Sequence, residues 1–208
     1  MDVLEVLTAT AFHVGSSAVT VLELLAAALA LGMVACNLRV HPAGWPLAIV
    51  SSALYAWVFF RSQLYGEAAL QLLFIGLSAW GWWRWLLPVP EGVGARGISR
   101  LARPTAVRCA LVTTAAWIAL AITLDRTTDS DVPVADALAT SASVLGQWLL
   151  AHKYLENWGV WLLVNLFSVG LFAFKGLWPT VALYAVLAVV SWIGWRHWRN
   201  QLQASSGA

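Results

Sequence analysis

The sequence predicts an all-α integral membrane protein with seven transmembrane helices, built as a 3+1+3 parallel pseudo-repeat. Three observations predict it. Hydrophobic residues make up 61% of the 208 positions and charged residues only 11%, where soluble domains run at about a quarter charged. Apolar stretches long enough to cross the hydrocarbon recur between breaks rich in Pro, Gly and charge. The chain also matches itself in one ungapped register that lays Trp45 on Trp158 and Leu64 on Leu177.

Residues 1–17, MDVLEVLTATAFHVGSS, carry two early acids and no basic n-region. They are expected to be an extracytoplasmic N-terminal segment, interfacial or loosely ordered, rather than a signal peptide. Spans at 18–36, 44–60 and 64–85 form the first bundle, 18–85, broken by NLRVHPAG and RSQLYGE. Residues 86–132 hold a cytoplasmic loop, a linker span at 105–124 and an outer loop. Spans at 133–151, 158–174 and 177–195 form the second bundle, 133–198, and 199–208 is a cytoplasmic tail.

Orientation follows from the twelve Lys and Arg residues. Arg39, Arg84, Arg96, Arg100, Arg103, Arg108, Lys153, Arg196 and Arg199 fall on one side; Arg61, Arg126 and Lys175 fall on the other. The positive-inside rule puts the C-terminus in the cytoplasm and the N-terminus outside. Asp2, Glu5, Asp125, Asp129 and Asp131 make the outer side acidic.

The same register overlays GWWRW (81–85) on GWRHW (194–198) and Glu23 on Asp136. Because one span intervenes, spans one to three and five to seven cross the bilayer in the same direction. Transporters built from such repeats place a substrate site between the halves.

Polar residues inside the spans are the site candidates, since an unpaired amide in hydrocarbon is expensive. Asp136, Thr140, Ser143 and Gln147 form a helical stripe on the fifth span. On the sixth, Trp158, Trp161, Asn165, Ser168 and Phe172 form another. Tyr55, beside Ser51 and Ser52, marks the second span, and Gln71 with Ser78 marks the third. Single Ser and Thr residues read as interhelical glue, whereas Gln147 and Asn165 read as the lining of a cavity. Trp161 is deep enough to stack on a planar or cationic ligand. Trp85, Trp178, Trp195 and Trp198 lie near span ends and read as interfacial belt residues. Glu23 and Asp136 would flank an outer vestibule that favours a cation.

Several classes are disfavoured. Cys36 and Cys109 read as unbridged apolar residues. His13, His41, His152 and His197 lie in or near loops, so neither a metal nor a cofactor is expected. No Ser–His pair or paired aspartates suggest an intramembrane hydrolase, and an enzyme is not expected. A net charge of +2 gives no sign of nucleic-acid binding. Without a mid-membrane carboxylate or Lys for ion coupling, facilitated passage fits.

LYGEAALQLLFIGLSAWGWWRW (64–85), HKYLENWGVWLLVNLFSVGLFAFKGLWPTVALY (152–184) and IGWRHW (193–198) resemble the PnuC family of bacterial vitamin transporters. The resemblance covers about residues 18 to 198, and its most specific part is Glu-Asn-Trp-x-x-Trp-x-x-x-Asn at 156–165. It implies a SWEET-like fold in the inner membrane, a homotrimer, and facilitated uptake of nicotinamide riboside trapped by cytoplasmic phosphorylation. Thiamine and riboflavin are the cargoes of related branches. It also implies that Trp158, Trp161 and Asn165 bind the vitamin, with Gln147 as partner. One departure stands out: WPLAIVSS (45–52) puts Ala48 and Ser51 where the family commonly has Gly and Asn. Outside that class stands a membrane assembly subunit whose polar stripes only glue helices.

Overall fold

The computed structural model describes residues 9–14, 17–61, 65–88, 97–128, 132–174 and 178–206. Among them are seven α-helices: α1 Val21–Leu38, α2 Gly44–Arg61, α3 Tyr65–Leu86, α4 Arg103–Thr127, α5 Pro133–Ala151, α6 Asn157–Phe174 and α7 Trp178–Ser206. The chain divides into two compact units, Met1–Leu87 and Pro88–Ala208. In the first, α2 packs against both α1 and α3; in the second, α4 packs on α5, α5 on α6 and α6 on α7. Helices α4, α5 and α6 are each long and apolar enough to cross a membrane, and α1 and α2 contain shorter apolar runs. Apolar side chains such as Leu111, Val112 and Leu163 are more than 60% exposed, as lipid-facing residues are.

Two boundaries differ from the sequence reading. The first helix starts at Val21, because a short antiparallel hairpin, β1 Thr10–Val14 and β2 Ser17–Thr20, occupies the preceding residues. The expected tail from 199 onward is the last part of α7, which stays helical to Ser206. Its residues RNQLQASS contain no proline or glycine to stop the helix.

Both α4 and α5 begin with a proline at the first or second helical position, where its missing N–H matters least. The hydroxyls of Thr123 and Thr127 donate to carbonyls four residues back, at 2.8 and 2.7 Å, which hides them from hydrocarbon. Helix α4 has no buried residue and is tied to α5 by the Trp117 indole N–H donating to Val134 O at 3.0 Å.

The duplication is visible in the backbone. Helix α1 ends with Val40 in the left-handed region at φ 55, and α5 ends with Lys153 there at φ 56. His41 N bonds Cys36 O and Val40 N bonds Asn37 O, while Tyr154 N bonds Leu149 O and Lys153 N bonds Leu150 O. Both ends are Schellman motifs. The next bonds correspond as well: Gly44 N to His41 O and Trp45 N to Pro42 O, against Asn157 N to Tyr154 O and Trp158 N to Leu155 O.

Side chains repeat the pattern. Trp45 lies against Gly81, where a Cβ would overlap the indole, and meets Trp85 edge-on at 5.4 Å and 86°. Trp158 lies against Gly194 in the same way and meets Trp198 edge-on at 5.6 Å and 86°. Edge-to-face packing suits the ring quadrupole, and glycine lets the indole reach the helix backbone. Trp85 and Trp198 are therefore not belt residues: they are only 6% and 0% exposed. Lying near a span end left them inside because each closes on the tryptophan of a neighbouring helix.

Candidate substrate site

The second unit adds a polar and aromatic set to this scaffold. Asn165, two turns into α6, is 5% exposed and donates from Nδ2 to Ser191 Oγ on α7 at 3.1 Å. The Ser191 hydroxyl in turn donates to Leu187 O, one turn back, at 2.8 Å. Trp161, one turn earlier on α6, is half-buried and packs over Gly146 of α5, where a Cβ would stand 3.0 Å from the indole Cε2. Gln147 follows directly and is buried. Three helices thus contribute: α5 a glycine shelf and an amide, α6 an indole and an amide, α7 a hydroxyl.

Sequence reasoning named Trp161, Asn165 and Gln147 but missed Ser191. The repeat could have found it, because Ser191 takes the place of Ser78, and both are buried at 4% and 1%. Gly146 was missed too. Its signal is a size exchange: Met33 and Ala48 in the first copy correspond to Gly146 and Trp161 in the second.

Other expected site residues are placed differently. Trp158 is 4% exposed, with Gly194 beneath it and Trp198 at its edge. Its indole packs as that of Trp45 does in the first copy. Thr140 and Ser143 are half-buried on α5, while Ser141, one position round the helix, is buried. Asp136 sits in the first turn of α5, where the helix dipole favours an acid. Tyr55 on α2 and Gln71 on α3 are half-buried in the first unit. Glu23 lies on α1, and its side chain is outside the described residues. Ser51, at the departure in the second span, donates to Ala26 O of α1 at 2.9 Å while buried. That hydroxyl is helix glue.

The N-terminal end of α6 is fastened from outside the bundle. Ser99 N bonds Lys153 O and Leu155 N bonds Ser99 O, while Leu101 N donates to Glu156 Oε2 at 2.9 Å. Half-burial holds the Lys153 ammonium below the usual lysine value by desolvation. Cys36 and Cys109 are both free thiols.

Comparison with known proteins agrees with this architecture. The nicotinamide riboside transporter PnuC of Escherichia coli (strain K12) is 23% identical over 164 residues, covering 67% of this chain and 68% of that protein. PnuC of Neisseria mucosa is 28% identical over 129 residues, covering 60% of this chain and 49% of that protein. The crystal structure of the vitamin B3 transporter PnuC shares the fold, with a TM-score of 0.70, 22% identity, and coverage of 88% of this chain and 83% of that one. A profile of the family described as nicotinamide mononucleotide transporter matches residues 20–200, from before α1 to well into α7. On that match, the chain belongs to the nicotinamide mononucleotide transporter family.

Proposed function

We propose that this protein carries nicotinamide riboside across the membrane by facilitated diffusion, without acting chemically on it. The observation that carries the reading is an asymmetry between two copies whose turns and tryptophan wedges correspond. Only the second copy has an indole and an amide at the positions of Ala48 and Ser52, namely Trp161 and Asn165. Helix packing alone does not require that difference, because the first copy packs without it. A flat cation bearing a carboxamide and a ribose suits an indole face and hydrogen-bonding amides. The named relatives, both nicotinamide riboside transporters, support the same cargo.

Within this reading Trp161, Asn165 and Gln147 bind the cargo, with Thr140 and Ser143 beside them on α5 of the second unit, and Tyr55 and Gln71 are the substrate-binding residues proposed for the first. Asp136 and Glu23 attract it at the outer mouth. The uneven distribution of Lys and Arg supports an outside N-terminus and a cytoplasmic C-terminus in a bacterial inner membrane. Phosphorylation by a cytoplasmic kinase makes uptake directional, and the working unit is a homotrimer.

Proteoliposomes test the transport step. Labelled nicotinamide riboside is expected to enter until inside and outside concentrations match, with or without a proton or sodium gradient. Accumulation beyond that level is expected only with a riboside kinase and ATP enclosed. Gradient-driven accumulation without the kinase would overturn the uncoupled mechanism. Saturable uptake of thiamine or riboflavin alone would change the cargo, and no uptake of any vitamin would leave an assembly subunit. By calorimetry, Trp161→Ala is expected to weaken riboside binding by about 1–2 kcal/mol, the scale of a partly desolvated cation–π contact. Unchanged affinity would remove Trp161 from the site.

A further inference from the structure

We propose that Ser191 is a positioning residue that fixes the Asn165 amide in one orientation, so that the site demands a hydrogen-bond donor from its cargo. The inference rests on the riboside reading of the site and adds to it a rule of selectivity.

A serine hydroxyl has one hydrogen and two lone pairs. Here the hydrogen is directed to Leu187 O at 2.8 Å, one turn back on α7. Toward Asn165 the oxygen can therefore only accept, and the amide must turn its NH₂ edge to it, as the 3.1 Å contact from Nδ2 shows. With Nδ2 held there by Ser191 Oγ, Asn165 Oδ1 is the edge of the amide left to accept. An asparagine with no orienting partner could rotate about its last torsion and offer either edge. Asn165 cannot do so without leaving the Ser191 oxygen, in surroundings where both residues are at most 5% exposed. The site therefore discriminates by what the cargo donates: a carboxamide N–H or a ribose O–H pairs with Oδ1, and a group with lone pairs alone does not.

The first copy lacks this device. Ser52 and Ser78 stand at the positions of Asn165 and Ser191, and a hydroxyl can donate or accept by rotating. A fixed acceptor is confined to the copy that also carries Trp161.

Two cationic analogues separate the possible donors. The 3-acetylpyridine riboside keeps shape and charge but has a methyl in place of the carboxamide NH₂. The 2′,3′-dideoxyriboside of nicotinamide keeps the carboxamide but lacks the ring hydroxyls. Titration of the purified full-length protein is expected to show one of them binding about tenfold or more weaker than nicotinamide riboside, since a buried acceptor is left unpaired. Ser191→Ala is expected to erase most of that ratio by weakening the natural cargo, and Ser191→Thr, which keeps the hydroxyl, to restore it. Ser191→Cys, close in size but a weak acceptor, is expected to fall between and keeps the test open if the alanine variant does not fold. Equal binding of both analogues by the wild type would overturn the inference while leaving the cargo assignment intact. So would a ratio that Ser191→Ala and Ser191→Cys leave unchanged. Absence of any nicotinamide riboside binding would instead sink the cargo reading and this inference with it.

Discussion

At the scale of single residues, the tryptophans do two different jobs that composition cannot separate. Trp45 and Trp158 are 1% and 4% exposed and lie on glycines of the next helix in the chain, α3 and α7 respectively. Trp161 is half-buried over a glycine of the preceding helix, α5. The first two hold the scaffold, and the third is free to present part of its ring. Gly81→Ala and Gly194→Ala are each expected to destabilise the protein by about 1–3 kcal/mol, the usual range for overpacking a filled core. Thermal unfolding in detergent would show both as lower melting temperatures of similar size. An unchanged melting temperature in either would mean that the indole has room to retreat. In the sequence these glycines were legible as matched positions of a repeat; their purpose was not, because it depends on which ring comes to rest on them.

At the scale of elements, the seven spans were readable because length and apolarity suffice to mark a membrane helix. Their ends were less so. Val40 and Lys153 terminate α1 and α5 in the left-handed conformation, for which glycine is the usual choice. A β-branched residue there is strained. Val40→Gly is expected to stabilise the first unit by about 1 kcal/mol, since the gain from released strain exceeds the small loss of half-buried side chain. Chemical denaturation of the variant checks this, and a lower stability would mean that the Val40 side chain contributes more by packing than its backbone costs. Neither Val nor Lys announces such a turn, so only the match between the two copies could have exposed it. The same limit applies to Ser99, whose backbone bonds join the α5–α6 turn and leave no trace in residue type.

At the scale of the whole molecule, a duplicated scaffold carries one specialised copy. The position of Trp161 is held in the first copy by Ala48, which is only 7% exposed. Ala48→Trp is therefore expected to cost several kcal/mol and to lower the yield of folded protein, whereas Trp161→Ala should fold and lose affinity. Size-exclusion and melting profiles of the two variants would separate them; a well-folded Ala48→Trp would show that the copies are interchangeable at this point. By itself the sequence determined the membrane class, the seven helices, the repeat and the identity of Trp161, Asn165 and Gln147 as exceptional, because periodicity, charge bias and the cost of an amide in hydrocarbon all act along the chain. Only the tertiary structure decided that Trp158 lies on Gly194, that Trp161 packs over Gly146, and that the Asn165 amide donates to Ser191. Those assignments depend on which atoms of different helices meet, and at distances of about 3 Å residue type alone does not specify the partner.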